Sequence, residues 1–185
     1  MRKAAEKVKI WAVVRDCVLN YLRTGRHAGE AGISWPLPEP EVKRPKAQNK
    51  YRQENFPNLE MLIEIAILEN RNDDVVSLYQ ELNKNRRWGR EIDKAVAKAV
   101  SGSHPQVALQ IWKAVVDGLI AQVKPRAYEE AAGYLKHMRK LYEETGRLAE
   151  WQRLLLDLRQ QHKAKRRLME VLDELGRIRK NVPLL

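Results

Sequence analysis

A chain of 185 residues with a net charge of +11, 44% hydrophobic and 32% charged, is large enough to bury its own core without disulfides or metal. Its one cysteine, Cys17, excludes an internal disulfide framework, a redox Cys-x-x-Cys pair and a cysteine-based zinc site, and fits a reducing cytoplasm. Lys9, Arg15 and Asp16 interrupt the apolar residues 8–22, so no run approaches the roughly 20 residues of a membrane span, and no signal peptide is expected.

Residues 2–24 read as a first helix, with Val8, Trp11, Val18, Leu19 and Leu22 on one face and Gly25 at the left-handed stop position. Residues 25–56 differ in kind. Gly25, Gly29, Gly32, Pro36, Pro38, Pro40 and Pro45 break regular structure, and Trp35-Pro36-Leu37-Pro38 favours an extended path. A stretch this long is either a linker or a strap on the helices, and Trp35 and Leu37 favour the strap.

From Pro57 the helical period returns and holds to about residue 178. Leu59, Leu62, Ile63, Ala66 and Ile67 form one stripe, ending near Asn70. Asn72 is a candidate N-cap, with Asp73 and Asp74 set against the positive end of the helix dipole. Val75, Leu78, Tyr79 and Leu82 follow, then a polar break over 83–89. A short helix carries Ile92, Ala95, Val96, Ala99 and Val100 up to Gly102. Ser103 or His104 caps the next, with Pro105 in its first turn and Ala108, Ile111, Val115 and Leu119 as its stripe.

The helix over 126–144 organises the rest. Tyr128, Ala131, Ala132, Leu135, Met138 and Tyr142 recur at steps of three and four, and Thr145-Gly146 ends it. Leu148, Trp151, Leu154, Leu155 and Leu158 make a further stripe, and Leu168, Leu172 and Leu175 the last. Residues 159–167 between them are either a turn or the middle of one long helix. No strand period appears. Successive helix pairs begin roughly 33 to 42 residues apart, the range of helical repeats. A strict tetratricopeptide signature does not recur in register. The predicted fold is therefore all-α, an irregular α-α superhelix of about 7–9 helices resembling a tetratricopeptide array. It forms one domain over 1–185: a helix over 1–24, a strap or linker over 25–56, and a helical array over 57–178.

Candidate chemistry is thin. His27, His104, His137 and His162 are isolated, without the spacing a metal site needs. Cys17 lies near the first apolar stripe and reads as a small hydrophobe, with no base nearby in sequence. Glu129-Glu130 and Glu143-Glu144 read as a solvated face with ion pairs such as Glu143 to Arg147, and the glycines around 25–32 lack a phosphate-loop context. No residue set supports catalysis, a cofactor or a small-molecule substrate.

Positive charge gathers at the ends. Residues 1–50 carry 11 basic against 5 acidic side chains and residues 151–185 carry 9 against 4, while the middle is nearly balanced. The sharpest run is Arg159, Lys163, Lys165, Arg166 and Arg167, a candidate contact for nucleic acid or an acidic partner. Arg159, Lys163 and Arg166 share a face if the helix is continuous, although no aromatic interleaving or helix-turn-helix pattern accompanies them, and a solvated helix face is the simpler reading. Lys43, Arg44, Lys46 and Lys50 read as a basic tether. Trp35 and Trp88 fall in breaks between helices and are candidates for a partner groove. Trp11 and Trp151 belong to core stripes.

Several segments together resemble a known family. They are Arg126 through Lys136, Leu141-Tyr142 through Gly146-Arg147, Glu150-Trp151, Leu155 to Arg159 and His162 to Leu168. This combination resembles the C-terminal helical region of bacterial SWIM zinc-finger proteins, and Trp35 to Pro38 and Pro105 to Trp112 fit the same region. The likeness covers most of 33–175 and is strongest over 126–175. It implies a helical module beside a finger that binds nucleic acid or protein. The family's zinc ligands stand in a Cys-x-Cys … Cys-x-His motif upstream, which a chain with Cys17 alone cannot supply. The chain is then a fragment or a member without the finger. The expected function is non-enzymatic protein or peptide binding along the helical surface, the alternative being nucleic-acid binding through the basic ends.

Overall fold

The computed structural model describes residues 9–27, 29–30, 32, 34–36, 56–84 and 91–177. Among them the fold is all-helical, with eight α-helices and no strand. Two compact units divide the chain, Met1–Leu82 and Asn83–Leu185.

The first unit contains α1 (Trp11–Thr24), α2 (Leu59–Leu68) and nearly all of α3 (Asn72–Asn83). Helix α1 does not run unbroken from residue 2, because Lys9 stands at φ +56°, outside helical space. Its end is as read from sequence: Gly25 takes φ +74° and its N–H donates to the Tyr21 carbonyl. The ring of Phe56 lies 2.7 Å from where a Cβ on Gly25 would stand, so both backbone and space demand glycine there. Leu19, Leu22 and Leu62 form the buried seam between α1 and α2, flanked by Val18, Tyr21, Leu59, Ile65 and Leu78. Asn58 caps α2, its Oδ1 accepting from the Met61 N–H at 3.2 Å. Asn72 is the first residue of α3 and not its cap, with Asp73 and Asp74 in the first turn as expected. Cys17 is buried, at 3% exposure. Of the expected strap, Trp35 is exposed, and Leu37 with residues 38–55 lies outside the described residues.

The second unit holds α4 (Glu91–Val100), α5 (Pro105–Ala121), α6 (Pro125–Glu144), α7 (Leu148–Gln161) and α8 (Arg166–Arg177). Connections are short: residues 101–104, 122–124, 145–147 and 162–165. Pro105 and Pro125 stand at the first turn of α5 and α6, where a missing N–H costs no hydrogen bond. Helix α5 packs on α4 and α6, and α6 in turn packs on α7 and α8. Ala108, Ile111, Val115, Val116 and Ile120 of α5 are buried, as are Ala131, Leu135 and Met138 of α6. Leu141, not Tyr142, completes the α6 stripe. Tyr142 is only partly covered and pairs with Trp151, ring centroids 6.3 Å apart. The chain breaks between α7 and α8, so residues 162–165 form a turn and the alternative of one long helix is excluded.

Candidate functional site

A concave groove of about 340 Å³ opens in the second unit, lined from α4, α5 and α6. Helix α4 supplies Lys94 and Lys98 at an i,i+4 spacing, with Ser101 beyond its end. Helix α6 supplies Tyr134, His137, Leu141 and Glu144 along one face, with Lys140 beside them. The adjoining side of α6 carries Ala127, Ala131, Leu135 and Met138 into the core, and Leu141 lies at the edge between core and groove. The wall from α5 is Trp112, buried to 7% exposure, on which the exposed ring of His137 stacks at 5.8 Å between centroids and 26° between planes.

The three lysines of the groove differ in how far carboxylates hold them. Lys94 Nζ donates to Glu91 at 3.0 Å on its own helix and to Glu130 at 3.1 Å on α6, and lies 5.7 Å from the Tyr134 ring centroid. Hydrogen bonding to Glu91 first, then to Tyr134 and Glu130, raises the Lys94 pKa against the opposing effect of desolvation, so it is a fixed cation that also ties α4 to α6. Lys140 stands 3.6 Å from Glu144, a loose exposed pair. Lys98 is exposed and has no carboxylate partner among the described residues. The exposed Lys98, the loosely paired Lys140 and an indole–imidazole wall make a surface suited to an anionic group attached to an apolar body.

The basic run singled out in the sequence has a different disposition. Arg159 reaches from α7 to α8, donating from Nη2 to the Leu172 carbonyl at 3.1 Å and to Asp173 at 3.2 Å. Lys165 Nζ donates to the Ile120 carbonyl at 3.1 Å, near the end of α5. Arg166 faces Glu170 at 3.7 Å, and Arg167 contacts Glu170 at 2.9 Å and Glu129 at 3.6 Å. Lys163 is exposed in the turn. The shared face of Arg159, Lys163 and Arg166 does not form, because the helix ends at Gln161 and restarts at Arg166. Arg159 and Lys165 are held by main-chain carbonyls, and Arg166 and Arg167 by neighbouring carboxylates. Of the two tryptophans proposed for a groove, Trp35 is 39% exposed and Trp88 lies outside the described residues. Lys43, Arg44, Lys46 and Lys50 also lie outside them.

A second concavity, about 700 Å³, lies between α6, α7 and α8 and includes Arg139, Trp151, Leu155, Arg159 and Leu175. Arg139 is bonded to Glu143 at 2.9 Å and to the Leu175 carbonyl at 3.1 Å. The expected Glu143–Arg147 pair is therefore replaced: Arg139 takes Glu143, and Arg147 turns to Glu150. The first groove escaped sequence reading because Lys98 and Lys140 are 42 positions apart. The available signal was the flank of the α6 core stripe, where Tyr134, His137 and Leu141 recur at steps of three and four.

Among the described residues, no group of three His, Cys, Asp or Glu side chains is placed to hold a metal ion, and no helix is long and apolar enough to cross a membrane. No family model matches the chain, and no solved structure matches it. This chain is 32% identical over 84 residues to the uncharacterized protein YwqB of Bacillus subtilis (strain 168), a stretch that makes up 45% of this chain and 16% of YwqB. The chain thus matches about a sixth of that relative's length.

Proposed function

We propose that this chain is a non-enzymatic helical-repeat interaction module of the tetratricopeptide-like kind, binding a protein or peptide along the helical surface of its second unit. The role is similar to that of the helical region accompanying a bacterial SWIM zinc finger. The observation that carries the reading is contact between alternate helices. Helix α6 touches α8 as well as its chain neighbours, and Lys94–Glu130 links α4 to α6. Helices α4, α6 and α8 begin at Glu91, Pro125 and Arg166, steps of 34 and 41 residues. Repeat arrays stack alternate helices in this way and leave one side concave for a partner.

The rival reading, nucleic-acid binding through the basic ends, draws on the net charge of +11. It requires free cations, and in the run 159–167 only Lys163 is not drawn into a bond or ion pair described above. Titration of the full chain with duplex DNA and single-stranded RNA between about 50 and 200 mM salt separates the two readings. Weak affinity that vanishes across this range, as non-specific phosphate contact does, is expected. Tight binding that survives 200 mM salt overturns the interaction-module reading.

A further inference from the structure

Resting on that interaction-module reading, we infer that the α4–α6 groove is the docking site, and that its partner is a short acidic peptide segment carrying one bulky apolar side chain. The occupant follows from charge and shape. Lys98 and Lys140 approach the groove from two helices as exposed point charges, each able to meet a separate carboxylate, while Lys94 is held by Glu91 and Glu130. Between them lie the stacked Trp112 and His137 rings and Leu141, an apolar wall for one side chain that charged groups alone would not use.

A nucleic-acid backbone fits less well. Its phosphates follow one another at a fixed close repeat, whereas the groove has Glu144 in its lining and Glu91 and Glu130 bound to Lys94 beside it. Those carboxylates interrupt any continuous positive track. A peptide can place its acidic residues at the lysines and its uncharged atoms near the glutamates. The groove itself is small. At about 340 Å³ it takes one large side chain with a turn of peptide, so affinity will be modest and dependent on salt.

The probe is a fluorescein-labelled peptide of alternating aspartate and glutamate around a central phenylalanine, titrated with the full chain at about 50 mM salt. Binding read by anisotropy should weaken about tenfold or more in Lys98→Glu/Lys140→Glu, since exposed pairs worth a fraction of a decade each become repulsions. Lys163→Glu, equally exposed but in the α7–α8 turn, should leave affinity within about twofold. Circular dichroism establishes that each variant is folded, and amide and indole chemical shifts of the unaltered chain locate the peptide whether or not a variant folds. Shifts centred on Trp112, His137 and Lys98 support the assignment. Shifts centred on α7 and α8 overturn the groove while leaving the interaction module standing. Absence of binding, or an equal loss in Lys163→Glu, also overturns the groove. Tighter binding of an equally charged single-stranded oligonucleotide, with displacement of the peptide, overturns both readings.

Discussion

Lys98 and Lys140 stand 42 positions apart and line one groove, whereas Arg159, Lys165, Arg166 and Arg167 are close in sequence and are dispersed among partners on α5, α6 and α8. The difference is in what surrounds each charge. Lys165 reaches the Ile120 carbonyl at the end of α5, among carbonyls that lack intrahelical donors, and Arg159 reaches the Leu172 carbonyl on α8. A long cation within reach satisfies them. Lys98 and Lys140 project from helix faces whose opposite sides are in the core, and the Lys98 carbonyl, in the last turn of α4, is taken by the Ser101 hydroxyl. A dense basic run is therefore weak evidence for a binding surface when its members are held by carbonyls and carboxylates of the same fold.

The largest effect that would break this comparison concerns Arg159. If it is a structural tie and not a binding group, Arg159→Ala should destabilise the chain by about 2 kcal/mol, the cost of removing a charged donor from a partly buried carbonyl. Urea denaturation followed by circular dichroism reads it, and peptide affinity under conditions where the variant stays folded should hardly change. A neutral Arg159→Ala that nevertheless abolishes binding would reverse the assignment of the two sites.

The first unit offers the same contrast through pH. Glu69 receives Arg15 at 2.5 Å and Arg71 at 2.8 Å, and hydrogen bonding to Arg15, ahead of that to Arg71, holds its carboxyl at about 2, against the desolvation that would raise it. A depressed folded-state value means the unfolded chain takes up the proton first. The contribution is therefore present above the ordinary value near 4.5 and is lost as pH falls from about 5 towards 2. Allowing for solvent screening of the partly exposed arginines, about 1–2 kcal/mol is involved. Stability measured at pH 6, 4 and 3 should fall more steeply for the natural chain than for Glu69→Gln. Parallel curves would show that the cluster carries no net stabilisation.

Legibility in the sequence followed the same division between local and non-local causes. The helices were readable because apolar side chains recur each turn and because Gly25, Pro105 and Gly146 mark ends by local backbone preference alone. The choice between Leu141 and Tyr142 as the last buried residue of α6 was not, since both fit the period and packing by α7 decides. Arg147 likewise has three glutamates at helical spacing, Glu143, Glu144 and Glu150, and the end of α6 at Glu144 gives it Glu150, on its own helix side, instead of Glu143. Asp93, fully buried on α4 among Ile92, Val96 and Ala97, is a charged residue that no apolar period identifies. The groove required knowing which face of α4 meets α6, information held by neither helix separately.

The smallest expected effect tests the comparison most sharply. Lys98→Ala removes an exposed ammonium with no carboxylate partner among the described residues, from a helix in which alanine is the better former. Stability should stay within about 0.5 kcal/mol of the natural chain and can rise slightly. Lys94→Ala should not behave alike, because Lys94 joins Glu91 and Glu130 across α4 and α6 and its loss leaves Glu130 without that cation. If both variants prove neutral to folding, the Lys94 bridge is an exposed pair of no consequence and all three lysines are equally free for a ligand. If Lys98→Ala is the destabilising one, Lys98 already serves the fold, and the distinction between bonded and available cations fails at the residue that defines it.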